Sequence, residues 1–185
     1  MILPDTIIKE HQDNNSASRM PLVECKYPSK EVYIGPASVD LTLSMSFSVP
    51  KKMNIVKMDT ESFYNQQYSK QYLLQPAGFV LASTQETVKL PDYISAFVQG
   101  RSSIGRLGLQ IQNAGFIDAG FQGQITLELH NQGPNPILLE ADTRICQIVF
   151  FQQIKSSKIP YQGKYQNQTG AVGSRLYLDL NKNFT

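Results

Sequence analysis

Apolar and polar side chains alternate along much of this chain with the two-residue period of β-strands. The pattern is clearest in Ile125-Thr126-Leu127-Glu128-Leu129, where every second residue is apolar. Because successive side chains of a strand point to opposite faces, we expect Glu128 and Thr126 to share the polar face. Short apolar runs bounded by Gly, Pro and Asn predict the other strands. The predicted strands are Ser38–Leu43, Tyr72–Leu74, Phe79–Thr84, Ile94–Val98, Leu107–Gln112, Gln124–His130, Ile137–Leu139 and Ile145–Gln152.

Helical signals are few. Residues 4–11 predict one short helix with Asp5 near its start, and residues 100–109 can hold one helical turn. Residues 10–32 and 51–71 are polar and lack a clear period, so we expect surface loops there. Many short strands with one or two short helices indicate an all-β fold, a mostly antiparallel barrel or sandwich.

The length of 185 residues suits one domain with a substantial core. We expect that domain to span residues 1–162 and a tail to follow it at residues 163–185. The tail is rich in Gln, Asn and Gly and has little apolar periodicity. Such a segment is predicted to be disordered unless a bound ligand or a neighbouring subunit orders it.

Charge and apolar patterning argue against several classes of protein. The formal net charge is +2 and the basic residues are scattered, so the chain lacks the basic stripe that binds a nucleic-acid polymer. No apolar run is long enough to cross a bilayer, and no basic and then apolar leader begins the chain, so neither membrane insertion nor secretion is expected. The distant Cys25 and Cys146 favour reduced thiols in the cytoplasm, with Cys146 buried in an apolar run.

The two histidines, His11 and His130, limit the possible chemistry. A zinc-dependent cytidine-type deaminase needs a His-x-Glu element and a Pro-Cys-x-x-Cys element, and this sequence has neither, so no zinc is expected. A phosphate-binding GxxxxGK[ST] loop is also missing. A Ser-His-Asp hydrolase is conceivable, but neither histidine has a glycine-flanked setting. Carboxylate, hydroxyl, amide and guanidinium groups must therefore do the chemistry.

The densest cluster of such groups is Gly100-Arg101-Ser102-Ser103-Ile104-Gly105-Arg106-Leu107-Gly108. Glycines allow a close approach of the backbone, hydroxyls and amides donate hydrogen bonds, and arginine binds phosphate through two parallel hydrogen bonds. The segment thus predicts an anion-binding element. A simple Gly/Ser turn with two solvated arginines is an equal alternative.

Two carboxylates follow this cluster. Asp118 lies among glycines and aromatics in residues 113–123, where it can bond a sugar hydroxyl while a ring packs against the sugar or base. The alternative is a hairpin turn in which Asp118 caps its own backbone. Glu128, on the polar face of its strand, is either a solvated side chain or a proton-transfer group.

Taken together, these elements resemble the dCTP deaminase branch of the trimeric dUTPase superfamily. The resemblance runs from about Gly35 to Arg175, and several ordered motifs with matching spacing carry it. These motifs are Pro36-Ala37-Ser38-Val39-Asp40-Leu41, the Gly100–Gly108 segment, Ala114-Gly115-Phe116-Ile117-Asp118-Ala119-Gly120-Phe121, Ile125-Thr126-Leu127-Glu128-Leu129, Ile145-Cys146-Gln147 and Lys164-Tyr165-Gln166-Asn167-Gln168.

The resemblance implies a role for each matching residue. Glu128 would take a proton from water attacking C4 of cytosine and deliver one to the leaving ammonia. Ser102, Arg106 and the backbone of Ala114 would hold that water and the ring, and Asp118 would bond the sugar 3′-hydroxyl. The remaining positions implied to bind substrate, most of them at the triphosphate, are Arg101, Ser103, Asn113, Gly115, Gln147, Tyr161, Lys164 and Gln168.

The resemblance also implies a dUTPase-like distorted β-barrel that forms a homotrimer with shared active sites, and a tail that folds over the bound nucleotide. Magnesium would bind through the triphosphate and not through a protein cage. The pair Gly115-Phe116 resembles bifunctional members, in which Asp118 helps to activate a second water and dUTP is cleaved to dUMP and diphosphate. Asn113 stands where threonine is common, a residue linked in the family to inhibition by dTTP.

Three alternatives remain open at this point. The protein could be a deaminase that releases dUTP, a dUTPase without deaminase activity, or a non-catalytic trimer that binds nucleotide for regulation. A pure dUTPase resembles a different pattern, with a tyrosine-bearing uracil hairpin and no counterpart of Glu128 paired with Arg106.

Overall fold

Antiparallel strands form two sheets in the computed structural model, which describes residues 1–13, 20–25, 31–61, 63–112 and 115–180. Within these ranges there are twelve strands and three short helices. In chain order they are α1 (Asp5–Gln12), β1 (Val23–Glu24), β2 (Tyr33–Ile34), β3 (Val39–Pro50), β4 (Tyr64–Tyr68), β5 (Gln71–Leu74), β6 (Phe79–Lys89), β7 (Ile94–Gly100), α2 (Ser102–Gly105), β8 (Leu109–Gln112), β9 (Phe116–Ile117), β10 (Gln122–Asn131), β11 (Ile137–Glu140), β12 (Arg144–Gln152) and α3 (Tyr177–Leu180).

The larger sheet has the strand order β8-β10-β6-β3-β12-β7-β9, with β1 added on β6 and both β2 and β4 added on β3. The long strand β3 joins its two halves. Its first residues pair with β12, and its later residues pair with β6 and β4. The register between β3 and β6 shifts between Leu43 and Phe47, the kind of irregularity at which a strand bends. The sheet therefore curls into the distorted barrel expected from the sequence.

The core lies inside this curled sheet, and β10 shows how the sequence builds it. From Gly123 to Asn131 its residues alternate strictly between buried and half-buried. Leu127 and Leu129 are fully buried and pack in one cluster with Phe47 and Phe150. Glu128 and Thr126 lie together on the opposite face, as the two-residue period predicts.

All eight predicted strands are present, with ends that differ by a few residues. The expectation of loops at residues 10–32 and 51–71 is wrong in part, because β1 pairs with β6 and β4 pairs with β3. Both are short segments whose pairing partners are distant in the chain, so local periodicity does not mark them. The described residues also hold a third helix, α3. The longest helix has eight residues, and no helix within the described ranges is long and apolar enough to cross a membrane.

The tail lies on its own barrel through Leu180, the last residue that the structure describes. Gln168 forms a parallel bridge with Gly123, and its carbonyl accepts a hydrogen bond of 3.0 Å from the amide of Gln124. Farther along, the amide of Val172 donates to the hydroxyl of Thr126 at 3.1 Å. The polar tail side chains and backbone thus find partners on the barrel itself, which its composition alone did not indicate.

Candidate active site

A cavity of about 400 Å³ opens where the tail crosses the polar face of β10, a size suited to a small organic ligand. Strands β4, β6, β7, β9 and β10 contribute to its wall, and the tail completes it. The predicted site residues that line the cavity are Gly115, Asp118, Glu128, Tyr161 and Gln168.

Glu128 is the carboxylate placed deepest in the β-structure. It lies in the middle of β10, opposite Leu81 of β6 and Gln112 of β8, and is half-buried. Burial raises the pKa of Glu128, because leaving water disfavours the charged form. A carboxylate with a raised pKa can both accept and return a proton near neutral pH. Its position and its pKa therefore suit the role that the sequence resemblance implies.

The turn after β9 carries Asp118 at the cavity wall. Asp118 is exposed, and its carbonyl accepts a hydrogen bond of 3.2 Å from the amide of Phe121. Gly120 has a φ of 90°, in the left-handed region that favours glycine. The amide of Tyr161 donates to the carbonyl of Ala119 at 2.8 Å, which holds the start of the tail against this turn. Asp118 thus both closes a turn and faces the cavity, so the two interpretations of this residue are compatible.

Gly115 fits its position for a packing reason. A Cβ atom added there would lie 2.6 Å from the carbonyl oxygen of Val98 and 3.1 Å from the ring of Phe97. Strand β9 can pair with β7 this closely only because residue 115 has no side chain. Its neighbours Asn113 and Ala114, both predicted to bind substrate, lie outside the described residues.

The predicted anion-binding residues form a second cluster, at the end of β7 and on β12. Arg101 donates from Nε to Oδ2 of Asp40 at 3.1 Å and from Nη1 to the carbonyl of Arg144 at 3.1 Å. Gln147 pairs directly with Asp40 across the β12–β3 ladder. The arginine is therefore held in place by a carboxylate that lies far from it in the sequence.

Other members of this cluster are exposed on α2. Ser102 and Ser103 form its first turn, and Arg106 follows its end with its amide donating to the carbonyl of Ser102 at 3.1 Å. None of these residues lines the cavity that contains Glu128. The structure of one chain thus separates the predicted site into two groups of residues and does not bring Arg106 to Glu128.

Charge shows the consequence of this separation. Among the described residues that line the cavity, Asp118 and Glu128 are acidic and none is lysine or arginine. Lys164 and Arg175 are close by, each 5.7 Å from the ring of Tyr165, which does line the cavity. Lys164 is paired with Asp179. A triphosphate would therefore find little uncompensated positive charge in this cavity alone.

Comparison with known proteins identifies the family. The family model described as dCTP deaminase-like matches residues 2–153. This chain belongs to that family. A relative from Persephonella marina, named dCTP deaminase, dUMP-forming, is 43% identical over 97% of this chain and 99% of its own length.

Solved structures support the fold of this dCTP deaminase-like chain. The 2′-deoxycytidine 5′-triphosphate deaminase from Agrobacterium tumefaciens matches with a TM-score of 0.62 and 22% identity over 80% of this chain. The match covers 47% of that structure's chain, so the present chain spans about half its length. A mutant dUTPase from phage phi11 of S. aureus, with a coordinated structural Mg(II) ion, matches with a TM-score of 0.51 and 12% identity over 76% of this chain and 95% of its own.

Three lining or neighbouring residues of this family member were not predicted from the sequence. Tyr64 comes from β4, in a segment expected to be a loop, and carried no local signal. Tyr165 and Arg175 come from the tail, where Tyr165 stands directly beside the predicted Lys164. The amide of Arg175 donates to the hydroxyl of Tyr165 at 2.9 Å, which folds the tail back on itself.

The donor set of the site bears on metals. Within the described part of the chain, no group of three or more His, Cys, Asp and Glu side chains could hold a metal ion. Cys25 and Cys146 are not joined in a disulfide, and burial raises the pKa of the Cys146 thiol well above its ordinary value. Cys146 is thus the buried small side chain that its apolar run predicts.

Proposed function

We propose that the protein hydrolyses the 4-amino group of dCTP and converts the resulting dUTP to dUMP and diphosphate. The observation that carries this proposal is the half-buried Glu128, whose pKa is raised by burial, in a cavity of nucleotide size beneath the tail. The name of the Persephonella marina relative, which covers nearly the whole chain, supports both reactions.

In the first reaction, Glu128 takes a proton from water while that oxygen bonds to C4 of cytosine. The tetrahedral adduct then collapses, the C4–N4 bond breaks, and Glu128 returns the proton to the nitrogen, which leaves as ammonia. Ser102 and Arg106 hold the water and the ring in this proposal. The reaction consumes one water and gives dUTP.

The separation of Arg106 from Glu128 supports a site shared between copies of the chain. A triphosphate needs several cationic groups, and the cavity of one chain offers two carboxylates and no lysine or arginine among its described lining residues. Arg101, Ser103 and Gln147 of a neighbouring copy would supply the missing donors in a cyclic homotrimer. Lys164 and Gln168 of the tail would bind the phosphates from the other side.

The second reaction needs one more oriented water. Asp118, exposed at the cavity wall, would polarise a water for attack on the α-phosphorus, and diphosphate would leave. Magnesium fits as an ion carried by the triphosphate, because the described residues offer no cluster of metal ligands, and its role is to offset the negative charge of the phosphates. Inhibition by dTTP and a cytoplasmic location remain further parts of this proposal.

Complementation between two inactive variants tests the proposed site. Glu128→Gln and Arg106→Gln should each lower ammonia release from dCTP by about 10²–10⁴-fold, the usual contribution of a proton-transfer group. When equal amounts of the two variants are co-expressed and assemble at random, about a quarter of the shared sites receive both intact residues. Ammonia release should then recover to about a quarter of the wild-type rate. No recovery in purified mixed oligomers would contradict a shared site, and a Glu128→Gln rate above about a tenth of wild type would contradict the role of Glu128.

A further inference from the structure

Tyr64 is an aromatic residue of the cavity to which the proposed reaction gives no role. It is the first residue of β4 and pairs with Pro50, the last residue of β3. Its ring is half-buried and contacts that of Phe63, with 4.3 Å between the ring centroids. The pairing and the ring contact fix Tyr64 at the cavity wall, where Glu128 is also exposed.

The tail backbone passes directly over the ring of Tyr64. A Cβ atom added to Gly173 would lie 2.9 Å from Cδ2 and 3.2 Å from Cε2 of this ring. Such a contact is shorter than carbon atoms accept, so a side chain at residue 173 would push the tail away from Tyr64. The neighbouring Val172 is bonded to Thr126, two residues before Glu128 on the same strand face. Tail closure and the position of Tyr64 are thus linked through direct contact.

The other side of Tyr64 faces negative charge. Burial, and after it the charge of Glu128, raise the pKa of Tyr64, so the phenol stays protonated at every pH at which Glu128 ionises. A protonated phenol beside a carboxylate is a hydrogen-bond donor, and such a bond holds the carboxylate in one orientation. A phenylalanine would keep the ring against Gly173 and lose only this donor.

We propose that Tyr64 is a positioning residue that links tail closure to Glu128: its ring receives the tail at Gly173, and its hydroxyl donates a hydrogen bond to the Glu128 carboxylate. This inference rests on the proposed function for the importance of Glu128, but each contact can be measured without turnover. Tyr64 acts through Glu128 and does not itself exchange a proton with the substrate.

The hydroxyl and the ring make separable contributions. Tyr64→Phe should raise the pKa of Glu128, because the lost hydrogen bond stabilised the ionised form. The acid limb of the kcat profile should move to higher pH, and kcat should fall about three- to tenfold with KM within about twofold of wild type. Gly173→Ala should instead raise KM and leave the acid limb in place, since it disturbs the tail and not the phenol.

Carboxyl-carbon NMR titration of Glu128 in the wild type, Tyr64→Phe and Tyr68→Phe tests the hydroxyl. Tyr68 is the matched control, because it is a tyrosine of the same strand whose side chain is 70% exposed. A raised pKa in Tyr64→Phe alone is the expected result. An unchanged pKa, or the same change in both variants, would overturn this half of the inference.

Calorimetry of dCTP binding in a Glu128→Gln background, where turnover is suppressed, tests the ring. Gly173→Ala should weaken binding at least about fivefold, and in a Tyr64→Ala background the same change should have no further effect, because the obstructing ring is gone. An equal loss in both backgrounds would overturn the proposed contact. Failure of the wild type to release ammonia would instead refute the proposed function, and the NMR and binding results would still decide the role of Tyr64.

Discussion

The backbone of Gly115 lies against that of Val98 with no room for a side chain between them. The amide of Val98 donates to the carbonyl of Gly115 at 2.8 Å, and a Cβ atom at residue 115 would come within 2.6 Å of the Val98 carbonyl oxygen. This pairing holds β9, and with it the turn of Asp118, at the cavity wall. From the sequence, the same glycine suggested space for a second water beside the α-phosphate.

Gly115→Ala separates these two explanations. If the glycine is needed for the β7–β9 contact, the variant should lose about 1–3 kcal/mol of unfolding free energy, as overpacked positions do, and both reactions should slow together. Urea unfolding and the ratio of diphosphate to ammonia released from dCTP measure this. Gly105→Ala is the control for stability, because its Cβ would have no atom within 4 Å. Selective loss of diphosphate release at wild-type stability would support the second-water explanation instead.

The raised pKa of Glu128 makes the stability of the protein depend on pH in a defined direction. A carboxyl whose pKa is higher in the folded state stabilises the fold fully below its unfolded pKa and loses that contribution as pH rises through the folded value. Glu128→Gln cannot ionise, so it should unfold at higher urea than wild type at pH 7. The advantage should disappear below about pH 4, where the carboxyl is protonated in both states. An equal difference at both pH values would show that burial of the charge is not its cause.

Removal of the tail tests its part in the site. A chain that ends before Gly163 keeps every strand, since β12 ends at Gln152, but loses the contacts of Gln168 and Val172 with β10. We expect a folded barrel by circular dichroism with weaker dCTP binding and slower ammonia release. Gln124→Ala is a milder version, because its side chain accepts a hydrogen bond of 2.6 Å from the amide of Gly170. Binding of dCTP by the truncated chain as tight as by the full chain would remove the tail from the site.

The sequence predicted those features that depend on neighbouring residues. The face of Glu128 followed from the two-residue period of β10, and the Arg101–Arg106 segment was recognised from residue types within one turn. Features made by distant pairing were not predictable in this way. Tyr64 enters the cavity only because β4 pairs with the far end of β3, and Arg101 is positioned by Asp40 on another strand. The order of the tail depends on amide partners on β10, which its polar composition does not identify.

The central claim is that one protein carries dCTP to dUMP, and a quenched time course with dCTP and Mg²⁺ tests it most directly. Ammonia, diphosphate, dUTP and dUMP are quantified in the same samples by chromatography. We predict equal amounts of ammonia, diphosphate and dUMP at completion, and no ammonia from a Glu128→Gln control. Accumulation of dUTP without diphosphate would contradict the second reaction, and dCTP that stays intact while added dUTP is cleaved would contradict the deaminase itself.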